Sequence, residues 1–300
     1  MSLPRHIVST GIDLMPGVPL NVYGLRGQEF SVVIDTGIAA MRDDLLALCR
    51  DLGNVGMVLL THAHVDHIGC NATVRAATGA RFAAAGALDW FEDLHTHYRE
   101  FCLVSDELPD SAAQREEIFG LVDGPVHVDL LIEEGVTFRL DDETELKTVR
   151  FPGHKLEEVG FLDAARGDLF IGDVLLALAA PFFHGFQSAR AFEDSLQRLL
   201  DLIDDGQVKA VYAAHHRPLD AEAAVAATSA TLAFLAEVEA CTLEAARGVS
   251  FSELWRTVCN RMQRQLEFRG FAMLRCLVDE LVAEGVMREE GGVLTVAANG

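Results

Sequence analysis

Met57-Val58-Leu59-Leu60-Thr61 runs straight into His62-Ala63-His64-Val65-Asp66-His67. The first five residues read as a short, fully apolar strand. Side chains of an extended segment alternate, so His62 and His64 leave it on one side and can grip one metal ion together. If the chain then turns into a helix, Asp66 and His67 project back beside them and can serve a second metal. Four side chains of ligand type within six positions suit neither packing, which wants apolar groups at a strand end, nor a solvated loop. Imidazole and carboxylate donors suit Zn²⁺, Fe or Mn²⁺.

Outward from this stretch, short apolar runs alternate with helical patterns. Asn21 to Leu25 and Phe30 to Asp35 read as paired strands about Arg26-Gly27. Asp43 to Leu52, Asp66 to Thr78 and Leu88 to Arg99 read as helices, with a strand at Arg81 to Ala85. Residues 102 to 124 read as a loop or short helices, a candidate lid. Strands are expected at Thr137 to Leu140, Glu145 to Phe151, Glu158 to Asp163, Asp168 to Gly172 and Ala210 to Ala213. Phe192, Leu196, Leu199, Leu200 and Ile203 mark an amphipathic helix between the last two. After Pro218 the texture changes. Residues 221–247 are alanine-rich and helical, Ser250 and Glu253 form a capping-box pattern, and a third helix carries Phe271 to Leu281. A β-ribbon ends at Val296. The expected division is therefore 1–218, holding the histidine motif, and 219–300, a mostly helical unit in winged-helix-like order.

The 300 residues are half apolar, with 46 acidic and 24 basic side chains and a net charge of −22. A core is affordable at this length and wholesale disorder is excluded. The negative field repels phosphate backbones, which argues against a nucleic-acid partner and for a small-molecule substrate. No run reaches the ~18 apolar residues of a membrane span, and Met1 to Thr10 lacks an apolar signal core. Six scattered cysteines without a C-x-x-C pair point to a reducing, cytoplasmic setting.

The chain resembles the metallo-β-lactamase superfamily, whose signature is T-H-x-H-x-D-H. The resemblance extends to Val33-Ile34-Asp35-Thr36-Gly37, Phe151-Pro152-Gly153-His154, Phe170-Ile171-Gly172-Asp173 and Ala213-Ala214-His215. All stand in family order over roughly residues 20 to 217. It implies an α/β, four-layer αββα sandwich with metals at one sheet edge. It assigns His62, His64 and His154 to a first metal and Asp66, His67 and His215 to a second, with Asp173 bridging. The cofactors it implies are two divalent ions, zinc first and iron or manganese as alternatives. Asp35 is expected to bond loop backbone near the metals.

Some positions depart from the family pattern. Cys70 stands where many relatives have glycine and reads as a packed helix residue. Lys155 follows His154 and reads as an exposed lysine, with a hold on an anionic substrate group as the alternative. His216 competes with His215 for the last ligand position. His184 lies in a segment that often lines the pocket in relatives. His95, His97, His6 and His127 read as surface or capping residues, and Asp141-Asp142-Glu143 as a solvated hairpin turn.

The activity implied is a dinuclear metal-dependent hydrolase in which metal-generated hydroxide attacks a thioester or related acyl substrate, with Asp66 orienting the nucleophile. The nearest resemblance is to glyoxalase II-like thioesterases with a helical C-terminal addition, although no lysine follows Lys209 to supply their basic cluster. A small-molecule phosphodiesterase, a lactonase and a mononuclear iron persulfide dioxygenase are the alternatives. The tail is expected to cover the site mouth or make a homodimer contact.

Overall fold

Six strands pair into a first sheet in a computed structural model that describes residues 3–105 and 107–297. They are β1 (Ile7–Met15), β2 (Val18–Leu25), β3 (Ser31–Ile34), β4 (Val55–Leu59), β5 (Arg81–Ala84) and β6 (Leu130–Leu131), in that spatial order. The first three are antiparallel neighbours and the rest add in parallel. A second six-stranded sheet contains β7 (Thr137–Arg139), β8 (Glu145–Arg150), β9 (Val159–Asp163), β10 (Asp168–Ile171), β11 (Ala210–Ala213) and β12 (Leu219–Asp220). Here only β10 and β11 are parallel. A small third sheet joins β13 (Arg247–Val249), β14 (Met287–Glu290) and β15 (Val293–Val296).

The two large sheets face each other. Tyr23, Leu25, Val32 and Leu59 from the first meet Phe138, Phe161, Phe170 and Tyr212 from the second. Tyr23 packs edge-on against Phe170 and Tyr212, with ring centroids 5.8 and 5.5 Å away, a preferred aromatic geometry.

Helices α1 (Arg42–Leu52), α2 (Val65–Ile68), α3 (Asn71–Thr78), α4 (Leu88–Glu92), α5 (Leu94–Phe101) and α6 (Ala112–Gly120) follow strands of the first sheet. Leu45, Leu48, Val74, Phe91 and Tyr98 contribute to the core on its outer face. The outer face of the second sheet is covered by α7 (Ala189–Asp204) and α8 (Ala221–Ala245), then by α9 (Phe251–Arg261) and α10 (Phe268–Ala283). The architecture is the expected αββα sandwich.

The C-terminal segment shares a core with the second sheet. Phe192 and Leu196 of α7, Leu235 and Val238 of α8, Leu254 of α9 and Leu274 and Leu277 of α10 belong to one buried cluster. The strand just past residue 218, β12, pairs with β11. Glu280 of α10 accepts from the Ala189 backbone N–H at 2.9 Å, satisfying a free donor at the start of α7. Arg190 reaches Glu239 of α8 at 2.6 Å and Glu284 just past α10 at 2.7 Å. Helix α8 is long and apolar enough to cross a membrane by composition, with mean hydropathy 1.4 over its most apolar window. Its Phe234, Leu235 and Val238 are spent on this protein core instead.

Two expected helices are interrupted, each for a physical reason. The 66–78 helix breaks at Gly69-Cys70. A Cβ on Gly69 would lie 2.3 Å from the Ile38 Cα and 2.4 Å from the Gly37 carbonyl oxygen, so backbone presses on backbone there. The 88–99 helix breaks at Asp93, whose extended backbone and side chain cap α5 by accepting from His95 N–H. The Asp141-Asp142-Glu143 hairpin turn is solvated at Asp142 and Glu143, as expected, but not at Asp141. Asp141 is buried and accepts from the Gln28 and Glu143 backbone N–H groups at 2.9 Å each, tying the two sheets together.

Candidate active site

The candidate ligands gather at one edge of the sandwich, most of them just beyond the C-terminal end of a strand and Asp66 and His67 in α2 next to it. Asp35 follows β3, His62 and His64 follow β4, His154 follows β8, Asp173 follows β10 and His215 follows β11. Gly172 makes the convergence possible. A Cβ there would lie 2.6 Å from Thr61 Oγ1 and 2.9 Å from both Glu158 Oε1 and His62 Nδ1. The second sheet therefore approaches the histidine loop of the first at a distance only glycine permits.

The seven expected residues come together as two groups that meet at Asp173. His62, His64, His154 and Asp173 bring ligand atoms within 4.8 Å of one another, and Asp66, His67 and His215 do the same. His64 Nδ1 and His154 Nε2 face each other at 2.8 Å. Asp173 spans both groups. Its Oδ2 lies 3.3 Å from His154 Nε2, while its Oδ1 lies 3.1 Å from His67 Nε2 and 3.3 Å from His215 Nε2. Asp66 Oδ2 is 3.2 Å from His215 Nε2. His216 turns away, with Nε2 3.3 Å from the Leu176 carbonyl oxygen, so His215 is the member of the pair that faces the cluster.

Outer partners fix the imidazoles. His154 Nδ1 lies 2.9 Å from the Gly185 carbonyl oxygen and His215 Nδ1 2.9 Å from that of Pro19. His67 Nδ1 lies 2.8 Å from Asp35 Oδ2. An Nδ1–H given to such acceptors leaves the Nε2 lone pair aimed inward. Asp35 also accepts from the Thr61 N–H and hydroxyl, each at 2.8 Å. It binds the motif's own loop, as expected, and orients a histidine besides.

Among the described residues, the buried His62 Nε2, His67 Nε2, His215 Nε2 and Asp173 Oδ1 have no hydrogen-bond partner. Buried polar atoms are rarely left so. Burial holds His62 and His64 well below the ordinary imidazole range, aided by neighbouring histidines, so both are neutral donors. Burial also drives His154 down to about 4. At His67 and His215 burial pulls downward, but the carboxylates around them prevail and raise both, His215 to about 10. The carboxylates thus draw positive charge into the cluster. The lone pairs of the neutral His62, His64 and His154, together with that demand for cations at Asp66 and Asp173, are what a divalent metal pair would meet.

Glu158 belongs to the site and escaped the sequence reading. It is fully buried, its Oε1 accepts from the Asp173 backbone N–H at 2.7 Å, and the same oxygen lies 3.9 Å from His62 Nδ1. Burial, then the Asp173 carboxylate, push its own carboxyl well above the usual range. Within Lys155-Leu156-Glu157-Glu158 it looks like one more surface acid. Only its place between the P-G-H turn and a buried strand hints otherwise.

Two expectations fail. Lys155 is not exposed. Its side chain is 4% accessible, with Nζ 3.7 Å from the centre of the Trp90 ring and 3.4 Å from Glu157 Oε1. His97 is not on the surface. It is buried, with its ring centroid 4.5 Å from that of Trp90 and its Nδ1 3.1 Å from the Trp90 carbonyl oxygen. Trp90 in turn lies 6.0 Å from the His64 ring, so these residues form the packing behind a candidate ligand. His184 enters the site, its Nδ1 3.8 Å from Asp173 Oδ2 and its ring 5.2 Å from His215. Cys70 is buried and packed, its thiol 3.1 Å from the Ile38 carbonyl oxygen. Helix α6 and its flanks lie beside the motif through Ala39 N–H to the Leu121 carbonyl and Asp123 N–H to the Gly69 carbonyl, and Glu117 and Leu121 line the mouth.

Two sheets between helical layers, with a histidine–aspartate cluster gathered at their common edge, define an αββα protein of the metallo-hydrolase class. The profile of the "Metallo-beta-lactamase superfamily" matches residues 15–215, and the chain belongs to that superfamily. It is 27% identical over 215 residues to the Bos taurus "Acyl-coenzyme A thioesterase MBLAC2", covering 67% of this chain and 75% of that one. It is 30% identical over 162 residues to "Hydroxyacylglutathione hydrolase" of Cereibacter sphaeroides, covering 54% and 49%. The fold of a metallo-beta-lactamase family protein from Thermus thermophilus matches with TM-score 0.74 at 21% identity, over 98% of this chain and 100% of that one. That likeness includes the C-terminal helices.

Proposed function

We propose that the protein is a dinuclear metal-dependent hydrolase of thioesters or closely related acyl compounds. The observation that carries the reading is Asp173, whose two oxygens face separate histidine groups in which His62, His67 and His215 keep unpartnered Nε2 atoms. His62, His64 and His154 would hold one ion, Asp66, His67 and His215 the other, and Asp173 both. Five imidazoles and two carboxylates suit zinc first, with iron or manganese as alternatives. Such a pair, when bound, supplies a hydroxide near neutral pH and polarises the acyl oxygen.

The chain's own residues supply the rest. Asp66 faces the mouth with 24% of its side chain exposed, so its carboxylate can orient an incoming water and take its proton. Asp35, Gly185 and Pro19 hold three imidazoles in one tautomer. Glu158 holds the backbone at Asp173. The thioesterase and hydroxyacylglutathione hydrolase names of the two relatives support an acyl thioester as substrate. The six cysteines are all unpaired, which supports a reducing, cytoplasmic setting. A small molecule remains the proposed partner, since net charge −22 disfavours nucleic acid. The proposed division stays at 1–218 and 219–300, although both parts share one core.

The test is metal analysis combined with a substrate panel. About two ions per chain, with turnover of thioesters above phosphodiesters and lactones, is expected. One iron per chain with oxygen consumption on a persulfide would overturn the proposal.

A further inference from the structure

The histidine edge of the cluster borders a second space. His64, His154 and His184 line the mouth over the cluster and also a narrow arm beside it. Phe101 closes one side of the arm, Phe186 another, and Phe268, Ala272 and Met273 of the C-terminal region the third. Phe186, Phe268 and Met273 are buried.

Most polar groups along the arm are already engaged, the exception being the buried, unpartnered His184 Nε2 at its cluster end. Arg269 is paired with Glu267 at 2.7 Å and stacked over Phe268 and Phe182 at 4.5 and 4.8 Å. Glu100 accepts from Trp90 Nε1 at 2.5 Å, and Gln187 Oε1 from the Leu156 N–H at 2.9 Å. A polar thiol carrier would find few free partners there, while an alkyl chain needs none. The mouth, by contrast, offers Asp66, Glu117 and Gln265. A substrate whose reacting carbon sits at the cluster therefore divides naturally, with its apolar half in the arm and its polar half in the mouth.

We infer that this arm binds the unbranched acyl chain of the substrate and that α10 is the wall that selects its length. The inference rests on the thioester reading for what stands at the cluster, though alkyl binding in the arm does not depend on it. The arm admits the centres of water-sized groups over about 120 Å³. That is room for a chain of several carbons beyond the reacting one, its length read from where the gain per methylene stops. The C-terminal region thus contributes directly to specificity.

Two measurements test this. Calorimetry with 1-butanol, 1-hexanol, 1-octanol and 1-decanol needs no metal and no turnover. Affinity should rise about fourfold per added methylene until the arm is full, with a negative heat-capacity change. In the metal-loaded enzyme, kcat/KM from butanoyl to octanoyl thioester should rise roughly 200-fold on the same basis. Ala272→Phe narrows the arm and should lower the octanoyl-to-butanoyl ratio at least tenfold, together with octanol affinity. Melting curves check folding, and Cys276→Phe, on the same wall, replaces Ala272→Phe if that variant fails to fold. Alkanol binding lost in the variant, without thioester turnover by wild type, would sink the hydrolase reading and support the arm. Thioester turnover with no chain-length dependence and no alkanol binding would overturn the arm and leave the hydrolase standing.

Discussion

Replacing Asp35 isolates the part of the site that orients a ligand without facing the space between the two groups. Its carboxylate takes three buried hydrogen bonds, from Thr61 N–H, Thr61 Oγ1 and His67 Nδ1, each at 2.8 Å. Alanine would strand the Thr61 N–H and the His67 Nδ1–H, at ~1–3 kcal/mol for each buried orphan. The Thr61 hydroxyl keeps a second partner in His62 Nδ1 at 3.1 Å, so its loss is smaller. Residue 35 also has φ +58°, a left-handed conformation that aspartate and asparagine adopt more readily than alanine. The expected destabilisation for Asp35→Ala is about 3–6 kcal/mol, a large share of the ~5–15 kcal/mol typical of a folded domain. Asp35→Asn keeps the backbone tolerance and one acceptor, so about 1–3 kcal/mol is expected.

Urea denaturation of the metal-free variants measures that difference. Metal competition against a chromophoric chelator measures the other half. With its outer partner weakened, His67 should hold its ion ~10–100-fold more loosely, while the ion at His62, His64 and His154 is much less affected. A folded Asp35→Asn chain that takes up both equivalents with wild-type affinity would refute the reasoning that His67 needs an anchored ring to serve as a ligand.

Glu158→Gln in the metal-free chain should cost less than ~1 kcal/mol, because burial already favours the neutral carboxyl and an amide oxygen can accept from Asp173 N–H; Glu158→Leu leaves that donor stranded at ~1–3 kcal/mol, and chemical denaturation distinguishes the two. Gly172→Ala drives a methyl into Thr61, Glu158 and His62, so a loss of ~1–3 kcal/mol and weaker uptake of the first metal equivalent are expected by melting and metal titration. Burial pushes the Cys70, Cys102 and Cys259 thiols up to about 12, so at pH 8 an aromatic disulfide reagent should leave these three unmodified until urea is added, as peptide mapping would show. A chain ending at residue 218 removes the α8, α9 and α10 side of a shared core and should aggregate on expression, whereas a monodisperse, folded product by size-exclusion chromatography would contradict the shared-core argument.

The site was more legible than the frame around it, and chemistry explains why. Few side chains can serve as metal ligands, and His62, His64, Asp66 and His67 crowd four of them into six positions, whereas His154, Asp173 and His215 were legible only through the family motifs that carry them. Residues that support them obey no such rule. Glu158 and Lys155 are charged side chains whose burial depends on tertiary packing, which local sequence does not encode. The same holds for His97 behind Trp90. Strand β1 escaped because it is an edge strand whose half-buried positions alternate with the exposed Ser9, Gly11 and Asp13, too polar a pattern to stand out. Strand β13, Arg247–Val249, is too short to carry any period. The helix stops at Gly69 and Asp93 are set by contacts made elsewhere in the chain or by a cap, both weaker signals than the apolar spacing that runs through them.

The arrangement also explains why so much of the chain is committed to one edge. Asp35, His62, His64, Asp66 and His67 hang from the first sheet, and His154, Asp173 and His215 from the second. Neither sheet carries a complete set of the proposed ligands, and Asp173 spans the two groups only if the sheets hold their register. The aromatic contacts of Tyr23, Phe170 and Tyr212 fix that register from inside. The helices on the second sheet do so from outside, through a core that runs from α7 to α10. Ions that bind only the assembled edge would add their binding free energy to the folded state. The same packing that stabilises the sandwich therefore sets the distance between the two histidine groups, and its last helix, α10, lines the space beside His64 and His154.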